Sequence, residues 1–105
     1  MDVQLKKGLL EPITLSVINQ KDSYGYQIIK DISNYIEITE STLYPILKRL
    51  EANKMVNVFN QEHDGRLRKY YQITKLGKKQ IKTFIEEWDQ VIKIYDFIEK
   101  ESEGL

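Results

Sequence analysis

The chain has 105 residues, no cysteine and a formal net charge of zero. These values indicate one small domain without disulfides or thiolate metal sites. The N-terminal stretch has neither the apolar core of a signal peptide nor the roughly 20 apolar residues of a membrane span. We therefore expect a cytoplasmic protein without a membrane anchor, in keeping with a reducing compartment.

Two helices are predicted in the first third of the chain. Residues Leu9 to Asn19 carry apolar side chains at helical spacing, and Pro12 would lie in the first turn, where its missing N–H is tolerated. Asp22 or Ser23 can cap a second helix, which would end at Asn34. Its expected buried stripe is formed by Tyr24, Ile28, Ile29 and Ile32.

A third helix, with Thr39 or Ser41 as its N-cap, has one apolar arc. The arc consists of Leu43, Ile46, Leu47 and Leu50. The rest of the helix carries small, hydroxyl and cationic residues: Ser41, Thr42, Tyr44, Pro45, Lys48, Arg49 and Ala52. Hydroxyls and cations of this kind can bond phosphates or base edges in a DNA groove. The same residues also suit an ordinary solvated helix face, and the helix alone does not decide between the two.

A basic hairpin follows the third helix. Val56 and Val58, and later Tyr71 and Ile73, alternate with more polar neighbours as half-buried strands do, and the pair Asp64-Gly65 predicts a tight turn. Three cations lie beside the turn and on the return strand: Arg66, Arg68 and Lys69. We therefore predict a mainly α protein with a two-stranded β-wing, a winged helix-turn-helix whose wing suits a phosphate backbone or a narrow minor groove.

The last helix is long and amphipathic. Thr74 is its predicted N-cap, and apolar residues then recur in steps of three and four. They are Ile81, Phe84, Ile85, Trp88, Val91, Ile92, Tyr95 and Ile98. A helix from Thr74 to Glu99 would extend about 39 Å, beyond the body of so small a domain, so its stripe needs a partner. The candidates are a second copy of the chain and the first helix, and self-association is the simpler answer. We expect residues 1–73 to form a DNA-binding domain and residues 74–105 a dimerisation helix, in a two-fold homodimer.

Charge is segregated along the chain. Residues 39–79 carry nine basic and four acidic side chains, a net of +5, whereas residues 84–105 carry two basic and seven acidic ones, a net of −5. This distribution favours binding of a polyanion by the middle of the chain and repulsion from its tail.

The sequence contains no arrangement typical of an enzyme. His63 is the only histidine and lies at the predicted hairpin turn, without a second metal ligand. Glu86 and Glu87 are adjacent, so they diverge around a helix, and the glycines form no phosphate-binding loop. We expect no enzymatic activity, no cofactor and no metal. The alternative function is a winged-helix adaptor that binds a partner protein through the same basic face and does not bind specific DNA.

Three runs of sequence resemble the PadR family of bacterial transcriptional regulators. They are YGYQIIK from Tyr24, TLYPILKRLE from Thr42 and GRLRKYYQITKLG from Gly65, in the order and spacing of the family. The resemblance covers nearly the whole chain, and the single C-terminal helix is similar to that of the family's small subgroup. It implies a winged-helix dimer, usually a repressor, whose C-terminal helices form the interface.

The resemblance also implies roles for individual residues. Ser41, Thr42, Tyr44 and Lys48 would face the major groove, and Arg66, Arg68 and Lys69 would meet the backbone or the minor groove. Of Tyr70 and Tyr71 on the return strand, one would pack in the core and the other would touch a phosphate. The chain departs from the family at Leu67, where many members have a basic or small residue, and at Pro12, within a helix that is commonly uninterrupted.

Some small members of the family bind planar aromatic compounds between the subunits, on a tryptophan of the last helix. Trp88, the only tryptophan, occupies such a position, and Asp89 or Glu86 would be available to a cationic effector. The expected ligand and dimer interface comprises Ile85, Trp88, Asp89, Ile92 and Tyr95. The alternative is that Trp88 is a plain interface residue, because aromatic residues are enriched at interfaces.

Overall fold

The structure, a computed structural model, describes residues 1–105 and is a winged helix-turn-helix with a long C-terminal helix. Its elements are α1 (Val3–Gln20), β1 (Ser23–Tyr24), α2 (Gly25–Ile32), α3 (Glu40–Ala52), β2 (Val56–His63), β3 (Arg66–Ile73) and α4 (Lys75–Glu101). The three strands are antiparallel, in the order β1-β3-β2. The predicted fold class is confirmed, with one more strand than expected.

The core lies where α1, α2 and α3 pack together against one face of the sheet. Its fully buried side chains include Leu15, Ile18, Ile28, Ile32, Leu43, Leu47, Leu50 and Val56. The predicted apolar arc of the third helix is buried throughout, which leaves the opposite face of α3 exposed. Burial of each such side chain contributes about 1.5–3 kcal/mol, so the arc fixes how α3 is presented.

Helix α1 begins earlier than predicted. Asp2 is its N-cap, and the Oδ1 of that side chain accepts hydrogen bonds from the backbone N–H groups of Gln4 at 2.9 Å and Leu5 at 3.3 Å. Pro12 therefore lies inside the helix and not in its first turn. An interior proline costs about 3 kcal/mol, and the burial of Leu15 and Ile18 on the following turn offsets that cost.

The second helix also begins later than predicted, at Gly25. Ser23 and Tyr24 were expected in or next to a helix, but they form β1, which pairs with Tyr71 and Tyr70 of β3. Tyr24 is then the N-cap of α2, and no side chain caps this helix end. Sheet pairing outweighs capping here, and Ser23 is buried in its place opposite Tyr71. The sheet consequently has three strands, only two of which form the wing.

The wing begins directly after α3 and has the predicted turn. Lys54 adopts a left-handed φ of 60°, and the N–H of Met55 bonds the carbonyl of Leu50 at 2.9 Å, so α3 ends in a tight reversal. At the tip, Asp64 and Gly65 have φ values of 53° and 75°, the conformation of a two-residue hairpin turn. His63 pairs with Arg66 on either side of this turn, which fixes the register of the hairpin.

Helix α4 is capped as predicted and then leaves the body of the domain. The Oγ1 of Thr74 accepts a hydrogen bond from the N–H of Gly77 at 3.1 Å and donates one to the carbonyl of Lys54 at 2.8 Å. The first half of α4 packs against α1, and Ile81 contacts the core. Every residue from Asp89 to Glu101 is exposed. No helix in the structure is long and apolar enough to cross a membrane.

Candidate nucleic-acid interface

The exposed face of α3 carries a group of hydroxyls at its first turn. The Oγ1 of Thr39 lies 3.0 Å from the Oγ of Ser41 and 3.3 Å from the Oγ1 of Thr42. Ser41, Thr42, Tyr44 and Lys48 are all exposed. They therefore lie on the side of α3 that faces away from the core, where sequence reasoning expected them.

Arg49 is partly engaged within the protein. Its Nε donates to the Oε2 of Glu11 on α1 at 3.2 Å, and the arginine side chain is 54 % exposed. Such a pair contributes at most about 1 kcal/mol because it is solvated. The interaction ties α3 to α1 and neutralises one of the five cations predicted to contact DNA.

The three predicted wing cations lie in different surroundings. Arg66 is exposed at the tip of the hairpin. The Nζ of Lys69 lies 3.9 Å from the Oε1 of Glu51, a weak pair at the limit of an ion-pair distance. The guanidinium of Arg68 lies 4.5 Å from the centre of the Tyr24 ring, and its Nε is buried without a hydrogen-bond partner. Arg68 is thus the most constrained cation of the wing.

Both tyrosines of β3 are buried, not one of them as the resemblance implied. Tyr70 is 8 % exposed, and its ring packs between those of Tyr24 at 5.3 Å and Phe59 at 5.6 Å. Tyr71 is 4 % exposed and belongs to the core. Burial raises the pKa of Tyr71, with the neighbouring Tyr44 and Glu51 adding to the shift. Tyr70 therefore supports the outer face of the wing, with its ring unavailable to a groove.

Residues at the start of α2 complete the site, and sequence reasoning did not select them. Tyr44 of α3 lies so close to Gly25 that a Cβ there would be 2.5 Å from the tyrosine Oη. Tyr24 and Tyr26 flank Gly25, and all three line a cleft that also includes Arg68 and Lys69. The run Tyr24-Gly25-Tyr26 is a polar aromatic cluster that the sequence displays, but only Tyr24 was considered, as part of the buried stripe of the second helix.

The predicted ligand and dimer residues lie on α4, away from the wing. The ring of Trp88 stacks on that of Phe84, with centroids 5.4 Å apart and planes 27° apart. Ile85, Asp89, Ile92 and Tyr95 are exposed, and the Oη of Tyr95 donates to the Oε2 of Glu99 at 2.8 Å. An apolar groove of about 340 Å³ lies between α1 and the first half of α4. Its lining includes Leu9, Pro12, Ile13, Ile81, Phe84 and Ile85.

No group of three or more histidine, cysteine or acidic side chains is placed to hold a metal ion.

A family model described as the transcriptional regulator PadR-like family matches residues 14–83. The chain belongs to the PadR-like family. This result confirms the resemblance inferred from the three sequence runs, and it identifies the protein as a transcriptional regulator of the winged-helix type.

Individual PadR-like and related proteins are similar to the chain over most of its length. An uncharacterized protein of Lysinibacillus sphaericus is 40 % identical over 95 residues, which cover 86 % of this chain and 87 % of that protein. The structure of a transcriptional regulator from Clostridium thermocellum, Cth-833, has a TM-score of 0.82 at 34 % identity and covers 91 % of this chain and 95 % of its own. The crystal structure of a PadR-like transcriptional regulator from Bacillus cereus has a TM-score of 0.81 at 30 % identity, with 90 % and 95 % covered.

Proposed function

We propose that the protein is a homodimeric transcriptional repressor that binds a two-fold symmetric promoter site. The observation that carries the proposal is that Tyr44, on the exposed polar face of α3, lines one cleft together with Arg68 and Lys69 of β3. Ser41, Thr42 and Tyr44 supply hydroxyls for base edges and phosphates, and Lys48 supplies a cation. Arg66, Arg68 and Lys69 supply the wing contacts, and Arg49 contributes only if it leaves Glu11. Tyr70 is left out because its ring is packed.

Dimerisation is supported by the apolar surface that α4 leaves uncovered. Ile92 is 46 % exposed and Tyr95 is 57 % exposed, on a helix that projects beyond the other elements. A stripe of this kind, continuous with the apolar groove beside α1, is costly to leave in water. A second copy related by a two-fold axis would cover both, with residues 1–73 reading each half-site and residues 74–105 forming the interface.

The experiment that tests DNA binding is a gel shift with DNA from upstream of the protein's own gene. We expect a shift at low salt that weakens steeply as salt is added. The double variant Arg66→Ala/Arg68→Ala should bind all sequences more weakly and lower the slope of log affinity against log salt by about 4, because two phosphate contacts are lost in each of the two subunits. Lys100→Ala, which removes an exposed cation near the end of α4, is the matched control and should bind like the natural protein.

The adaptor hypothesis makes the opposite prediction. An adaptor would not shift this DNA or other promoter DNA at low salt, and the wing variants would then have no DNA phenotype to lose. The repressor assignment is tested separately with a reporter gene under the same promoter. Deleting the regulator should raise expression of the reporter, whereas a fall in expression would identify an activator.

We also propose that a planar aromatic effector releases the dimer from DNA by binding at Trp88. Phe84 stacks on the Trp88 ring, and Asp89 and Glu86 on the same helix would attract a cation. Titration with a planar cationic dye should quench the fluorescence of Trp88, the only tryptophan. Fluorescence that stays unchanged at high micromolar dye would make Trp88 a plain interface residue.

A further inference from the structure

A small cleft opens where the first strand leaves the sheet. Strand β1 pairs with β3 only through Ser23 and Tyr24, after which the chain turns into α2. The edge of β3 next to Arg68 and Lys69 therefore has the start of a helix beside it, and no further strand. The resulting cleft has a volume of about 190 Å³ and is lined by Tyr24, Gly25, Tyr26, Tyr44, Arg68, Lys69 and Tyr71.

The charges around this cleft favour an anion. Arg68 and Lys69 are the only cations of its lining, and the carboxylate of Glu51 lies outside the lining, 3.9 Å from the Nζ of Lys69. The Nε of Arg68 is buried and makes no hydrogen bond within the protein. A buried polar group without a partner costs free energy, more so when it belongs to a charged side chain, and an anion beside the same guanidinium would offset part of that cost through its charge.

The start of α2 adds to this preference. No side chain caps its first turn, and no acidic residue lies in that turn, so the positive end of the helix dipole is uncompensated. Gly25 is buried, and the absence of a Cβ lets the Tyr44 hydroxyl come close to the helix end. The tyrosine hydroxyls of the lining can donate hydrogen bonds to an anion that the two cations attract.

We propose that this cleft binds one phosphate group of the DNA backbone in each half-site. The inference rests on the DNA binding proposed above and adds to it a single phosphate shared by the start of α2, by α3 and by β3. The volume is below the roughly 300–1,000 Å³ of pockets for drug-sized ligands, and it suits a phosphate with a few water molecules. Arg68 is the central ligand, held in place by its contact with the Tyr24 ring. Lys69 exchanges its weak pair with Glu51 for the phosphate.

The test neutralises one DNA phosphate at a time. Duplexes carrying a single uncharged methylphosphonate at each position of the protected site are titrated with the natural protein and with Arg68→Gln, and affinity is measured by fluorescence anisotropy. For the natural protein we expect one position in each half-site where neutralisation weakens binding about tenfold or more, the loss of a hydrogen bond to a charged group. In Arg68→Gln the penalty at that position should fall to about one third or less, while the penalties elsewhere stay the same.

Two further variants secure the interpretation. Lys100→Gln removes a cation from the end of α4 and should keep the full pattern of penalties. Arg68→Lys keeps the charge but not the planar guanidinium, and it should retain part of the coupling even if Arg68→Gln lowers the melting temperature.

The possible failures are distinguishable. If every methylphosphonate weakens binding by the same factor in Arg68→Gln as in the natural protein, the cleft is not a phosphate site although the protein binds DNA. If inorganic phosphate raises the melting temperature of the natural protein but not of Arg68→Gln, and no DNA position is coupled, the cleft takes a free anion and the DNA assignment is overturned. If no duplex is bound at all, the proposed function is wrong, and a site for a DNA phosphate is overturned with it.

Discussion

Gly25 and Tyr44 bring α3 against the start of α2 through one close approach. A methyl group at Gly25 would lie 2.5 Å from the Oη and 3.0 Å from the Cζ of Tyr44. Tyr44 is 46 % exposed, so its ring can swing outward to make room. We expect Gly25→Ala to cost about 1 kcal/mol of unfolding free energy, near the low end for overpacking, measured by urea denaturation. The displaced hydroxyl should lower DNA affinity by about 2–10-fold.

A matched control for this substitution exists in α1. A Cβ at Gly8 would meet nothing within 4 Å, so Gly8→Ala should raise the unfolding free energy by about 0.5–1 kcal/mol and leave DNA affinity unchanged. Equal DNA affinity of Gly25→Ala and the natural protein would contradict the role given to the contact between Gly25 and Tyr44.

Residues with a capping side chain predicted some helix starts correctly and others wrongly. Thr74 was correctly predicted as an N-cap because a hydroxyl residue preceded a clear apolar period. For α3 the sequence left Thr39 and Ser41 open, and Thr39 holds the position without a capping hydrogen bond from its side chain. Asp22 and Ser23 carried the same local signal, but pairing with β3 overrode it. The burial of Tyr70 could not be predicted, since it depends on Tyr24, a residue distant in sequence, stacking on the outer face of the sheet.

The wing is the element whose geometry depends most on its turn. Gly65 has a φ of 75°, a conformation that costs an L-residue about 1–2 kcal/mol. Gly65→Ala should lower the unfolding free energy by an amount near the lower value and loosen the hairpin tip that carries Arg66. Hydrogen exchange of the β2 and β3 amides near the turn should then accelerate, and DNA affinity should fall.

Gly104 provides the comparison for this element. Its φ is 91°, so Gly104→Ala introduces similar backbone strain, but in the tail after α4. This variant should bind DNA like the natural protein and exchange its wing amides at the natural rate. A loss of DNA affinity common to both variants would point to general destabilisation and not to the shape of the wing.

At the level of elements, hydrophobic periodicity predicted which faces of the helices and strands are buried. The hairpin, its turn and the buried arc of α3 were all predicted because each depends on neighbours close in sequence. The early start of α1 and the strand β1 were missed. Pro12 suggested a helix start that the burial of the α1 side chains overrides, and a two-residue strand has too few side chains to show an alternation.

The whole molecule is elongated, with principal extents of 59, 26 and 20 Å. Helix α4, at 27 residues, is about 40 Å long and accounts for this shape. In the proposed dimer, Ile92→Glu would bury a carboxylate without a partner, which costs several kcal/mol. We expect this variant to sediment as a monomer at concentrations where the natural protein is a dimer, and to bind DNA more weakly because it loses the second half-site.

Gln90→Glu is the control for the added charge, since Gln90 is exposed and lies off the apolar stripe. It should remain dimeric. A natural protein that sediments as a monomer at high concentration would remove the dimer from the proposed function. At this scale the sequence predicted the exposed stripe and offered two partners for it, a second copy and the first helix, and α1 does pack against α4.

The hydrogen bonds of Thr74 leave no hinge between the wing and the last helix. Strand β3 ends at Ile73 and α4 begins at Lys75, and Thr74 is bonded to both Lys54 and Gly77. Residues 1–73 and α4 must therefore rotate together as one rigid body. In the proposed dimer, a tilt of about 5° where the two α4 helices cross would shift each winged domain, residues 1–73, by about 3–4 Å over a 40 Å arm. A small ligand bound at this crossing would thus change the distance between the two winged domains enough that it no longer matches the helical repeat of DNA.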